Sequence, residues 1–224
     1  MEIDLSDGLH QLLLKPLLFC ERASGIRLRG YQRAAADAVL DSIFHRRGLS
    51  FVIMFPRQSG KNELQAQLEA YLLTLYSATD AEIIKVSPTW KPQSLNAMRR
   101  LQRILERNLI TRSLWRKENG YIYRLGSARV FFLSGGPEAH IVGATASLLL
   151  EVDEAQDVLA AKFDKDIAPM AASTNATRVF WGTAWTSNTL LARELRAARE
   201  AEERDGLRRV FTCTADEVRR EVPA

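Results

Sequence analysis

Four short apolar runs, "FVIMF", "EIIKV", "LLLEV" and "VFW", recur along the sequence, with helix-periodic or charged stretches between them. Runs of this length suit strands buried on both faces, and strands that alternate with helices build an α/β domain whose sheet is largely parallel. The first run ends at Pro56, and "NELQAQLEAYLLTLY" then places Leu64, Leu68, Tyr71, Leu72 and Leu75 at helical spacing, so that strand, loop and helix follow in order. "LRGYQRAAADAVLDSIFHRR" reads as a turn at Gly30 followed by a helix. Residues 93 to 109 read as a basic amphipathic helix, "YIYRLGSARVFFLSGG" as a hairpin, and Thr189 to Glu203 as a charged helix. No internal repeat or low-complexity linker divides the chain.

Composition adds exclusions. With 224 residues, 46% of them hydrophobic, one ordinary domain with a sizeable core is expected. No apolar run approaches the roughly 18 to 20 residues of a membrane span, so a protein that stays in solution and off the membrane is expected. Cys20 and Cys213 lie far apart without metal-ligand spacing, as do His10, His45 and His140, which points to reduced thiols and away from a histidine metal site. A formal charge of +4 from 31 basic and 27 acidic residues is compatible with a nucleic-acid partner and does not establish one.

In an open α/β sheet, ligands bind beyond the carboxyl ends of the strands, so the loops after the four runs should converge on one crevice. After the first run comes Gln58-Ser59-Gly60-Lys61, where backbone N–H groups at a helix start could cradle phosphates and Lys61 could reach the β- and γ-phosphates. The pattern departs from G-x-x-x-x-G-K-[ST] twice: Phe55 stands at the first glycine, and Asn62 at the hydroxyl that binds magnesium. After "LLLEV" come Asp153 and Glu154, suited to holding magnesium-bound water and orienting an attacking water; acids at a helix start are the plainer alternative. Together the two stretches point to nucleotide binding.

Further residues extend that reading. Tyr31-Gln32 offers an amide able to pair with the edge of adenine, or simply a polar helix start. Arg57, within the loop, could stabilise charge on the γ-phosphate or face solvent. Gly182-Thr183-Ala184 ends the last run and could place a small hydroxyl near that phosphate, or form a plain turn. Arg99, Arg100, Arg103 and Arg107, with Arg112, Arg116 and Lys117 beyond, could contact a phosphate backbone or form a solvated face. Trp90, Trp115, Trp181 and Trp185 read as packing residues.

"YQRAAADAV", "FPRQSGKNE", "VSPTW", "HIVGATASLLLEVDEAQDV" and "FWGTAWTSNTLL", in this order over roughly residues 28 to 192, resemble the ATPase domain of the large terminase subunit, the motor that packages DNA into tailed-phage capsids. The resemblance implies a P-loop NTPase of the RecA-like (ASCE) kind with ATP and Mg2+ as ligands. Lys61 and Arg57 would bind phosphates, Asp153 would hold magnesium, and Glu154 would be the catalytic carboxylate. Gly182-Thr183-Ala184 would correspond to the motif that links hydrolysis to DNA movement. Double-stranded DNA, a homo-oligomeric ring on the capsid portal and the terminase small subunit are the implied partners. The implied location is the cytoplasm of the infected bacterium and, transiently, the procapsid. Where many members carry an Arg-Gly pair before the acidic motif, this chain has Val142-Gly143, so the source of any arginine acting across subunits stays open.

The expected organisation is an N-terminal helical extension over residues 1 to 27, the ATPase domain over 28 to 205, and a segment over 206 to 224 that leads toward a nuclease domain the chain lacks. Two other readings remain. The first RecA-like domain of a superfamily 2 helicase shares the motif order but normally carries Gly-Lys-Thr or Gly-Lys-Ser and a Ser-Ala-Thr motif, where this chain has Gly-Lys-Asn and Gly-Thr-Ala. A nucleotide-binding assembly module without turnover would accommodate Asn62.

Overall fold

The computed structural model describes residues 12–139, 143–183 and 186–221. Helix α1 (Pro16–Arg22) opens on its proline, and α2 (Gly30–Phe44) leads into strand β1 (Ser50–Met54). Helix α3 (Lys61–Leu75), strand β2 (Glu82–Ser87) and helix α4 (Leu95–Arg107) follow. Three strands come next, β3 (Trp115–Glu118), β4 (Ile122–Leu125) and β5 (Ala128–Ser134). The chain continues through β6 (Leu149–Val152), β7 (Thr177–Gly182), α5 (Leu190–Asp205), β8 (Val210–Thr212) and α6 (Ala215–Glu221).

The eight strands form one sheet in the order β3-β4-β5-β2-β6-β7-β1-β8. From β5 to β8 every neighbouring pair is parallel, and β4 runs against both its neighbours. The sheet is therefore largely parallel, the α/β architecture that the alternation of strands and helices implied. Alternation along each strand sends side chains to two separate cores. Phe51, Ile53, Ile83, Leu149, Val179 and Trp181 pack with α1 to α4, while Val52, Ile84, Leu150 and Phe180 pack against Phe163, Met170 and the start of α5. Helices thus cover both faces, which is why the central strands read as continuous apolar runs.

Two strands escape a reading of the sequence. β3, with its middle residues Arg116 and Lys117 exposed, lies at one edge, and the three-residue β8 lies at the other beside β1. Charged or very short strands suit an edge, where exposed backbone would otherwise invite pairing with another chain. The helix expected over residues 93 to 109 is α4, preceded by a turn at Trp90–Ser94. Phe19 and Cys20 of α1 and Phe211 of β8 join the same core as α2 and α3.

Candidate active site

The loop after β1 carries two left-handed backbone residues, Gln58 with φ 63° and Gly60 with φ 80°, before α3 begins at Lys61. Glu63 and Leu64 donate their N–H groups to Gly60 O, which leaves those of Lys61 and Asn62 at the open start of the helix. Residues just before and within α2 hold the loop from behind. Tyr31 Oη and Arg29 Nη1 donate to Ser59 O at 2.6 and 3.1 Å, and Gln32 Nε2 donates to Gly60 O at 3.1 Å. Gln32 Oε1 accepts from Arg29 N at 2.9 Å, so this buried amide is engaged within the chain on both sides and supports the loop rather than facing a base. A Cβ at Gly60 would lie 2.7 Å from Gln32 Nε2, so close support and left-handed φ both call for glycine there.

The acids arrive from the end of β6. Asp153 Oδ1 accepts from Gln65 Nε2 at 3.0 Å and from Glu154 N at 3.1 Å, and Oδ2 has no hydrogen-bond partner among the described residues. Glu154 sits in the left-handed region, φ 44° and ψ 51°, a conformation uncommon for a residue with a Cβ and found where a site dictates it. Its Oε1 accepts from Lys61 Nζ at 2.7 Å and its Oε2 from Gln156 Nε2 at 2.7 Å. Gln156 Oε1 in turn accepts from Thr183 N at 3.3 Å.

A cavity of about 760 Å³ joins these residues. The loop contributes Arg57, Gln58, Ser59, Gly60, Lys61 and Asn62 to its wall. Asp153, Glu154 and Thr183 line it as well, as do Glu63 and its ion-pair partner Arg100, 3.1 Å apart. Arg57 and Asn62 are exposed on the rim. Tyr31 and Gln32 stand behind the loop, and Gly182 adjoins Thr183 beyond the wall. Ala184, with Trp185, His140 and Val142, lies outside the described residues.

At the floor of the cavity, which Gln65 and Lys85 also line, lies a charged cluster that sequence reasoning missed. Lys85, in the middle of β2, is 2% exposed and donates to Glu69 Oε1 at 2.6 Å and Gln65 Oε1 at 2.7 Å. Burial opposes its charge, but Glu69, Glu151 and Asp153 outweigh that and hold the ammonium above the ordinary lysine range. Glu151 is the cross-strand partner of Lys85 and accepts from Trp181 Nε1 at 2.9 Å. Burial, with the nearby Glu69 carboxylate, pushes its carboxyl well above the usual range. Glu69 Oε2 and Glu151 Oε2 are buried without a partner among the described residues, the pattern expected when one proton lies between two carboxyl groups. The signal was present in the sequence: a lysine interrupts the apolar run Ile83 to Val86, and a glutamate the run Leu148 to Val152.

Comparison with known proteins locates this architecture. No protein-family profile matches the chain, and no curated relative matches it. Solved structures do. The large terminase of bacteriophage HK97 superposes with a TM-score of 0.74 at 17% identity, over 91% of this chain and 44% of that one. A variant of the large-terminase ATPase domain from Thermus phage P74-26 gives 0.65 at 16% identity, over 96% and 88%. The ADP complex of a large terminase from another thermophilic bacteriophage gives 0.58 at 11% identity, over 86% and 47%. This chain therefore has the fold of large-terminase ATPase domains, and it spans less than half the length of the first and third of these proteins.

Proposed function

We propose that this chain is an ATP-hydrolysing motor domain that drives double-stranded DNA into a viral procapsid. The observation that carries the reading is the direct ion pair between Lys61, at the start of α3, and Glu154, beyond β6, beside Asp153 in one cavity. A phosphate-binding lysine and an acid able to orient water are thereby within reach of the same phosphate.

In this reading the N–H groups at the start of α3 and the Lys61 ammonium bind the β- and γ-phosphates. Because Lys61 is already paired with Glu154, arriving phosphate oxygens exchange places with that carboxylate. The exchange frees Glu154 to orient a water for in-line attack. Arg57, on the rim, stabilises charge that develops on the γ-phosphate. Asp153 and Asn62 would hold Mg2+, which supplies charge neutralisation between phosphate oxygens when bound. The Oδ2 of Asp153, the Asn62 amide oxygen and the buried Ser59 Oγ, which has no partner among the described residues, fit a site of one carboxylate, neutral oxygens and phosphate. Tyr31 and Gln32 act through the loop they hold.

Gly182, Thr183 and Ala184 relay the state of the site to DNA. The outward side chains of Arg99, Arg103 and Arg107 on α4, with Arg112, Arg116 and Lys117 after it, are exposed and form a basic surface for the phosphate backbone. A homo-oligomeric ring on the capsid portal, fed by a small subunit, is the assembly in which such a domain works, in the cytoplasm of an infected bacterium and then on the procapsid. Among the described residues no helix is long and apolar enough to cross a membrane.

The test is ATP turnover over a range of protein concentrations, with and without double-stranded DNA, beside Lys61→Ala and Glu154→Gln. The motor reading expects turnover that rises more steeply than linearly with concentration and disappears in Lys61→Ala. Glu154→Gln should keep nucleotide binding and lose turnover by about 10²–10⁴-fold. Binding without turnover at every concentration, DNA included, would replace the motor with a nucleotide-binding assembly module.

A further inference from the structure

Gln156 lies between the candidate catalytic acid and the end of β7. Its Nε2 donates to Glu154 Oε2 at 2.7 Å and, more loosely, to Asp157 Oδ2 at 3.3 Å. Its Oε1 accepts from the backbone N–H of Thr183 at 3.3 Å. The amide passes across Gly182, where a Cβ would collide with Gln156 Oε1 and with Leu191 Cδ2. A single planar group therefore spans from a side-chain oxygen of the site to the main chain of another strand end, over a residue whose lack of a side chain gives it passage.

We propose that Gln156 is a positioning residue that ties the Glu154 carboxylate to the backbone at Thr183, just after β7, so that both move together when nucleotide takes Lys61 away from Glu154. The proposal rests on the ATPase reading above. In the arrangement seen here both oxygens of Glu154 are occupied, one by Lys61 and one by Gln156. Once a phosphate claims Lys61, half of the anchorage of Glu154 is gone. The carboxylate reorients, Gln156 follows its remaining partner, and the weaker bond to Thr183 is the one released. Occupancy of the phosphate loop thereby reaches the main chain after β7 without any movement of the sheet.

The experiment measures amide hydrogen exchange at Thr183, with and without a non-hydrolysable ATP analogue and Mg2+, together with steady-state ATP turnover. The parental chain should exchange Thr183 faster when the analogue is bound. Gln156→Met keeps the length and volume of the side chain and removes both bonds. It should make Thr183 exchange fast and indifferent to nucleotide, and lower kcat by about 10–100-fold with KM within about twofold of parental, the signature of a misplaced acid. Gln156→Glu keeps the acceptor for Thr183 and loses the donor to Glu154, so Thr183 should stay protected and cease to respond. A parental nucleotide response at Thr183 and parental kcat in Gln156→Met would overturn the proposal. Loss of the ATPase reading itself shows elsewhere, as no analogue-dependent protection of the Lys61 and Asn62 amides in the parental chain, and would remove the proposal's premise with it.

Discussion

Two lysines of this domain meet a glutamate at nearly the same distance, Lys85 with Glu69 at 2.6 Å and Lys61 with Glu154 at 2.7 Å, and their surroundings differ completely. The first pair is buried between β2 and α3, at 2% and 0% exposure, with Lys85 reaching the floor of the cavity. The second also lines the cavity and is less enclosed, with Lys61 7% and Glu154 25% exposed. A charge with almost no exposure on either partner has little alternative to the partner it has, because water cannot readily replace what is lost. A charge at a cavity mouth can exchange one oxygen for another. The same chemical pair thus serves in one place as a fixed support and in the other as a contact made to be broken, and access of water decides which.

The sharpest way to break this contrast is to remove the ammonium from each pair. Lys85→Met should cost about 3–5 kcal/mol of stability in urea unfolding, since it strands two buried carboxyl groups and Gln65 Oε1. Next comes the thread that joins the two regions, Gln65, which accepts from Lys85 and donates to Asp153. Gln65→Leu should weaken Mg2+-dependent nucleotide binding by about 10–100-fold, because the carboxylate meant for the cation loses its orientation. Binding at the parental level in a folded Gln65→Leu would show that the buried cluster and the cavity are independent.

A smaller effect follows from Glu151. Its carboxyl titrates above the unfolded value of about 4.3, so the folded state holds more protons than the unfolded one between the two values and loses stability as pH rises through that window. Glu151→Gln reproduces the protonated bonding, an oxygen for Trp181 and an N–H for Glu69, without the titration. The variant should gain on the order of 1 kcal/mol, about 2–4 °C in Tm, relative to parental at pH 8 and little at pH 5. An equal effect at both pH values would mean that no proton is held there. The smaller of the two ammonium losses is expected at the exchangeable pair: Lys61→Met should cost about 1–2 kcal/mol in stability, because Glu154 keeps Gln156 and reaches water from the cavity. A loss as large as that of Lys85→Met would erase the distinction between the two pairs.

What can be read from the sequence follows the same division. The strand, loop and helix around Lys61, and the acids that end β6, announce themselves because their chemistry is local: a glycine before a lysine at a helix start, and two carboxylates at the end of an apolar run. Tyr31 and Gln32 stand out as well, but the job the structure gives them, holding Ser59 O and Gly60 O, depends on α2 and the loop meeting in space. Gln156 is visible only as part of "DEAQD", since its partner Thr183 is 27 residues away. Lys85, Glu69 and Glu151 form a cluster only once β2 and β6 are known to be neighbours. β3 and β8 are illegible for a different reason: edge strands bury little, so four charged or aromatic residues and three mixed ones carry no apolar signature.

The order of strands has a further consequence. β1, which feeds the loop of Lys61, and β6, which feeds Asp153 and Glu154, are not neighbours; β7 lies between them. Gly182 is level with Met54 on one side, and two residues earlier Phe180 is level with Val152 on the other. The jaws of the site are thus set two strand spacings apart, about 10 Å. That width comes from backbone hydrogen bonds rather than from side chains. Substitution can reshape the lips of this vice, but its gauge is a property of the sheet, and the tip of β7 emerges on the midline between them.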